Sequence, residues 1–408
     1  MIRTALLAAA LLSTSVLAQV PIYGQCGGLQ YTGSTTCVAG TSCVSLSEWF
    51  FPMSSRDATT TATSSSGSTT TSVSSVKSTS TNSAPTSTAS SPTATGFIKT
   101  SGTKFTLNGA PYTVVGTNAY WLSLFGYGAA DVNTALNDIV NSGATTVRGF
   151  NEVTTPTGIY FHLWNGTTAT VNTGADRHSR AHGIRIIIAL TNNWSDFGGM
   201  DVYTQQILGP GQFHDVFFTN PTLIAAYKSY VQAVVTRYVN EPTIMAWELS
   251  NEPRCQGTNT QPSPTCNNTS IDKNHLVAIG DEGFLNVPGD FDYPYSGTIG
   301  IDFVANLAIP TLDFGTFHDN WGESANTVGW GEQWITDHAT AMTNADKPVI
   351  MEEFGTTNAD TRPATYQSWQ AGSTLSTGPT PNDGYMIFPT DPAYAVLQAG
   401  AAAIKASG

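Results

Sequence analysis

From about Gly96 onward, short runs of Val, Ile and Leu alternate with stretches whose apolar residues recur every three or four positions. The runs Tyr112–Val115, Thr145–Arg148, Ile184–Leu190, Ile244–Leu249, Leu276–Ile279, Leu312–Phe317 and Val349–Glu353 predict strands. Most are continuously apolar and end on a polar or acidic residue, as parallel strands buried on both faces do. Between them, Val132, Leu136, Ile139 and Val140 line one face of a helix that stops at Gly143. Asn220-Pro221 reads as the N-cap and first residue of another, with Leu223, Tyr227, Val231, Val234 and Tyr238 inward. Strands and helices in alternation predict an α/β domain over residues 96–408.

Upstream this periodicity disappears. Residues 57–95 are almost all Ser, Thr, Ala and Pro, with Lys77 the one charge after Ala58. Such a stretch buries too little surface to offset its ordering entropy, which predicts an extended, O-glycosylated linker. At the N-terminus, Arg3, the apolar Ala5–Leu12 and the small-residue site Val16-Leu17-Ala18 predict a signal peptide over residues 1–18 and secretion of the rest. The apolar run is too short to span a bilayer.

A net charge of -13 argues against nucleic acid as a partner. Charged residues make only 11% of the chain and aromatic ones 10%, a balance compatible with a neutral, sugar-like ligand. The five cysteines are an odd count for a secreted protein. Cys255 and Cys266 are expected to close a local loop, while Cys26, Cys37 and Cys43 cannot all pair among themselves.

Those three cysteines lie in residues 19–56, a unit too small to fold on a hydrophobic core alone. The stretch Tyr23-Gly-Gln-Cys-Gly-Gly-Leu-Gln-Tyr-Thr-Gly-Ser-Thr-Thr-Cys37, continuing to Cys43 and Trp49-Phe50, resembles the fungal-type family 1 carbohydrate-binding module. The resemblance implies that Tyr23, Trp49 and Phe50 form an aromatic face stacking on crystalline cellulose, with Gln25 beside them. It also implies a Cys26–Cys43 disulfide worth on the order of 3 kcal/mol. Met53 stands where the family has its fourth cysteine and Pro52 where it has glutamine, so Cys37 is left over and a weakened module is expected.

In the large domain, polar chemistry gathers at predicted strand ends: Arg148, Asn193-Trp194, Asn251-Glu252, His318 and Glu353. A barrel of parallel strands carries all those ends to one rim; a doubly wound open sheet is the alternative. Two carboxylates at such a rim are what glycosidic hydrolysis needs. Glu252 sits in Trp247-Glu-Leu-Ser-Asn-Glu-Pro253 and Glu353 in Val349-Ile-Met-Glu-Glu-Phe-Gly355. Strand alternation turns the neighbouring Glu248 and Glu352 away from Glu353 or from the rim, which ranks them second.

The domain resembles glycoside hydrolase family 5, and within it the fungal endo-β-1,4-mannanases. The residues that carry this are Gly116-Thr-Asn-Ala-Tyr-Trp121, Gly149-Phe-Asn-Glu152, Leu190-Thr-Asn-Asn-Trp-Ser-Asp-Phe-Gly-Gly199, Trp247 to Cys255, Gly280-Asp-Glu-Gly283 and Trp369-Gln-Ala-Gly-Ser373. The resemblance implies a (β/α)8 barrel, no metal or other cofactor, and retention of anomeric configuration. Glu252 would be the acid/base and Glu353 the nucleophile. Arg148 would hold Glu353 ionised, Asn251 would bind the sugar 2-hydroxyl, His318 would join the acid's hydrogen bonds, and Trp121 and Trp369 would be stacking platforms. The expected substrate is plant cell-wall mannan, with cellulose a second partner through the small module, in a monomeric enzyme. An endoglucanase of the same family and a catalytically impaired wall-binding protein are the alternatives.

Three crossovers are short against that pattern. Pro156, Gly158 and Gly166 break the interval from Val153 to Ile184, leaving Asp176–His182 as its possible helix. Pro262 and Pro264 interrupt Pro253 to His275, and Gly355 to Trp369 leaves no room for several turns. After His318, Asp319-Asn320-Trp321 follows where the family carries a tyrosine contacting the nucleophile. These gaps predict an incomplete barrel and, as their cause, coding segments missing from the translated sequence.

Overall fold

The computed structural model describes strand backbone at 25–27, 41–43 and 51–55. It then describes residues 95–123, 129–150, 162–165, 168–171, 182–195, 198–258, 260–263, 276–319, 328–355, 370–382 and 384–407. The chain divides into two compact units, Met1–Thr88 and Ala89–Gly408. In the first, Gln25–Gly27, Thr41–Cys43 and Phe51–Ser55 form a small antiparallel sheet with the last strand in the middle. Met53 stands opposite Cys43 in that register. The signal segment, the linker, Tyr23, Trp49, Phe50 and the side chain of Gln25 lie outside the described residues.

The large unit is built on parallel strands: β1 (Gly116–Asn118), β2 (Thr146–Phe150), β3 (Arg185–Ala189), β4 (Ile244–Glu248), β5 (Leu276–Ala278), β6 (Gly315–Asp319), β7 (Val349–Phe354) and β8 (Gln370–Ala371). One ladder runs β5-β4-β3-β2-β1-β8 and ends on β9 (Met386–Ile387); a second holds β6 against β7. Among the described residues no ladder joins β5 to β6, or β7 to β8 or β1. Single bonds cross those seams instead: Asp313 N donates to Val277 O (2.9 Å), His318 N to Glu282 O (3.1 Å) and Asn118 Nδ2 to Glu352 O (2.8 Å). The (β/α)8 architecture is therefore present as two arcs.

Two strands start later than the apolar pattern predicts. The Thr145 hydroxyl donates to Thr113 O and accepts from Val115 N, so Tyr112–Val115 is tied locally and pairing begins at Gly116. Leu312 N bonds Ile309 O in a turn, which delays β6 to Gly315. The helices match closely. α1 (Ala129–Asn141) packs Leu136 and Ile139 into the core and ends before Gly143 at φ +93°. Asn220 caps the helix Pro221–Tyr238, its side chain accepting from Thr222 N and Leu223 N. Along β3, Ile186 and Ile188 pack outward with Tyr230 and Val234 of that helix, while Ile187 points inward. There it meets Met245, Ala246, Leu276 and Phe314, closed below by Ile98 and Phe105 of the N-terminal hairpin. Each such buried side chain contributes about 1.5–3 kcal/mol.

Between β2 and β3 the described structure is a hairpin, His162–Asn165 with Thr168–Val171; residues 176–181 lie outside the description. Cys255 is disulfide-bonded, and Cys266 lies outside the described residues. No helix among the described residues is long and apolar enough to cross a membrane.

Candidate active site

Side chains from seven barrel strands, β1 to β7, and the turns after them converge at their C-terminal ends. The turn after β4 is locked by backbone bonds: Asn251 N donates to Thr191 O and Glu252 N to Gly280 O (2.9 Å). Gly280 has φ +87°, and a Cβ there would lie 1.9 Å from Ser250 O, so only glycine admits this approach. Glu252 itself sits at φ +50°, an uncommon conformation for a non-glycine residue and one often found where a side chain must be aimed.

Arg148, 4% exposed, organises one half of the site. Its Nε and NH2 donate to the two oxygens of Glu248 (2.8 and 2.5 Å), NH1 donates to Glu353 Oε1 (2.8 Å) and to Asn118 Oδ1 (3.2 Å), and NH2 donates to Asn251 Oδ1 (2.8 Å). Burial works against its charge, but the neighbouring carboxylates, Glu248 foremost, more than offset that and hold the guanidinium charged. Glu352 is the third carboxyl here, with Oε2 3.4 Å from Arg148 Nε and no hydrogen bond at either oxygen. Burial first and the Glu248 charge second push its pKa well up, which favours its protonated form.

This corrects the alternation argument for Glu248 and Glu352. In the β6–β7 ladder Phe317 pairs with Met351 but His318 with Glu353, so Glu352 is the extra residue of a bulge. A bulge breaks the two-residue period and re-aims side chains. Both consecutive glutamates therefore reach Arg148, and Glu248 is its bidentate partner.

Glu252 organises the other half. Its Oε2 accepts from Trp194 Nε1 (2.6 Å), and its Oε1 faces His318 Nδ1 at 3.0 Å. Burial opposes ionisation of Glu252, yet the His318 bond and charge, then Arg254 and Trp194, bring its pKa down to about 2. His318 moves the opposite way: burial lowers it, but Glu353 and Glu252 raise it to about 9. Glu252 and His318 thus form an ion pair. Beside them Arg254 grips both oxygens of Glu282 at 2.5 Å and lies 5.0 Å over the Trp194 ring. Glu252, His318 and Glu353 each offer an atom within 4.8 Å of the others. That spacing would admit a cation, but His318 and Glu252 already engage one another.

Of the residues singled out by sequence, Arg148, Asn251, Glu252, His318 and Glu353 come together. Trp369 lies outside the described residues; the strand that follows it pairs Gln370 with Asn118, beside Arg148. Trp121 is a correction. It is wholly buried in the core and donates its indole N–H to Ala371 O (3.1 Å), so it presents no free face for stacking. Arg254 has no signal in the sequence reading, which names Trp194 only as a strand-end residue and Glu248 and Glu352 only as second-ranked carboxylates. Trp194 was the most accessible of these, following β3 directly at the predicted rim.

A family model described as GH family 5 beta-mannosidase-like matches residues 95–385, and one described as fungal cellulose binding domain matches residues 22–50. The second match stops short of Met53, where the resemblance calls for cysteine. Mannan endo-1,4-beta-mannosidase F of Aspergillus fumigatus is 40% identical over 419 aligned positions, covering 92% of this chain and 93% of that protein. Mannan endo-1,4-beta-mannosidase A of Podospora anserina is 40% identical over 71% of this chain and 86% of its own length. The solved endo-1,4-beta-mannanase from Rhizomucor miehei superposes with a TM-score of 0.69 at 33% identity, covering 77% of this chain and 100% of that one. Fold, converging carboxylates and relatives agree: the chain belongs to the GH family 5 beta-mannosidase-like family.

Proposed function

We propose that this protein is a secreted endo-β-1,4-mannosidase that cleaves mannan, galactomannan and glucomannan with retention, acting as a monomer. The observation that carries the reading is the meeting of Glu252 and Glu353, from β4 and β7, with atoms within 4.8 Å. Retaining glycosidases hold their carboxyls roughly 5–5.5 Å apart, too close for an intervening water and suited to a covalent glycosyl intermediate. The names of the relatives support mannan as the substrate, and the N-terminal match supports cellulose as an anchoring surface.

Glu353, oriented by the hydrogen bond from Arg148 NH1, attacks the anomeric carbon. Glu252 protonates the departing oxygen, then takes a proton from the water that releases the sugar. That first proton is available from His318, whose Nδ1 lies 3.0 Å from Glu252 Oε1. Asn251 keeps an amide hydrogen for the sugar 2-hydroxyl, because one donates to Asn192 Oδ1 and its oxygen accepts from Arg148.

The test is reducing-sugar release from galactomannan against carboxymethyl cellulose, with the anomer of the first product read by NMR. Release from galactomannan with β-anomer first, lost in E353A, is expected. Preference for carboxymethyl cellulose would favour an endoglucanase, and polysaccharide binding without turnover a wall-binding protein.

A further inference from the structure

Behind Trp194 lies a second, fully buried polar chain that the chemistry above does not use. Asn193 is 0% exposed although Asn193-Trp194-Ser195 spells a glycosylation sequon. Its Oδ1 accepts from Arg254 N (2.8 Å) and from His214 Nε2 (2.9 Å), and its Nδ2 donates to Gln256 O (3.0 Å). These bonds orient the amide and occupy it, so the sequon is closed to a glycan in the folded protein. His214, also 0% exposed, presents Nδ1 to Asp201 Oδ1 at 2.8 Å, and Thr260 Oγ1 donates to the same oxygen.

The two loops meet with no slack. A Cβ at Gly199 would lie 1.9 Å from Trp194 O, and one at Gly257 would lie 2.3 Å from His214 Nδ1. Asn193 thereby stitches the turn after β3, which carries Trp194, to the turn after β4, which carries Glu252.

We propose that His214, braced by Asp201, is a positioning residue for the acid/base: through Asn193 it holds the Trp194 indole N–H on Glu252. This deepens the proposed function and rests on Glu252 being the proton donor. The chain Asp201–His214–Asn193–Trp194–Glu252 runs from the first turn of the helix Met200–Leu208 to the rim, each link at hydrogen-bonding or peptide distance. A misaimed acid costs most where the leaving group most needs a proton and nothing where it departs unaided.

The test compares kcat/KM on aryl β-mannobiosides of graded leaving-group acidity in the full-length protein. His214→Asn keeps an amide near the Nδ1 position, toward Asp201, but has nothing at Nε2. It is expected to lose roughly 10- to 100-fold on poor leaving groups and little on dinitrophenolate. His214→Gln, whose amide reaches the Nε2 position, recovers most of that loss. Trp194→Phe reproduces the His214→Asn pattern, and the double variant is no worse than either single one. Losses that multiply, or that fall equally on all leaving groups, overturn the inference. If His214→Asn does not fold, Asn193→Ala is read against the same series. Glu252→Gln separates the two readings: a variant still active on poor leaving groups sinks the proposed function, whereas an inactive one alongside unaffected His214→Asn and Trp194→Phe sinks only the positioning role.

Discussion

Glu248 and Glu352 face the same guanidinium, and they behave oppositely because Arg148 spends its paired donors on one of them. Glu248 takes two bonds from Arg148; Glu352 takes none, and burial with the Glu248 charge pushes its pKa well up. Glu248→Gln therefore leaves a buried cation short of its bidentate partner and is expected to cost about 3–5 kcal/mol in urea unfolding. Glu352→Gln replaces a neutral acid by its isostere and is expected to change stability by less than about 1 kcal/mol. Equal losses from the two would show that both are ionised. Strand alternation alone turned Glu352 the wrong way, because a one-residue bulge is a property of the ladder between two strands. By contrast Arg148, Glu252, His318 and Glu353 were legible, since each ends or follows an apolar run and no other fate suits a charge there.

At the scale of elements, the interior is filled where a strand is long and open where a crossover is short. Phe314 packs edge-on against Phe105, centroids 5.5 Å apart, beneath β3, β4 and β5. Phe314→Ala should cost about 3–5 kcal/mol by urea titration, since the surrounding ladders cannot collapse onto the gap. Between the approach to β1, β7 and the C-terminal helix Pro392–Ser407 lies a cavity of about 920 Å³, lined by Val114, Ile350, Leu397 and Ile404 among others. It adjoins β7, whose crossover to β8 is the short interval after Gly355. The alignment to the Aspergillus fumigatus relative spans 419 positions, more than this chain's 408 residues, so the relative carries segments that this chain lacks. Sequencing the mature transcript is expected to reveal additional codons there. A chain carrying a full helical crossover after Gly355 should melt at higher temperature and bind less of a fluorescent apolar dye than the chain as it stands. A transcript matching this sequence codon for codon would refute the missing-segment explanation.

Over the whole molecule, the buried titratable groups pull stability toward acid pH. Glu252 is lowered from 4.5 to about 2, so its contribution is present above pH 4.5 and fades as pH falls through about 2. Asp281, raised to about 6, Glu282, raised to about 8, and His318, raised to about 9, act with the opposite sign. Each contributes fully below its unfolded value and loses that contribution as pH rises through its folded one. The melting temperature is therefore expected to peak near about pH 4.5 and to decline steadily towards about pH 9. A scanning-calorimetry series showing greater stability at pH 8 than at pH 5 would contradict these assignments.

The sequence by itself determined the α/β class and the family, and it picked out Arg148, Glu252, His318 and Glu353, which the structure brings together. Those follow from local periodicity and from short motifs, which a linear chain carries in full. Tertiary structure alone decided that Glu352 joins Arg148, that Trp121 is core and Trp194 a ligand of the acid, and that Asp201 and His214 stand behind it. Such outcomes depend on which backbone groups meet across separate strands and loops, and that is settled by packing in three dimensions.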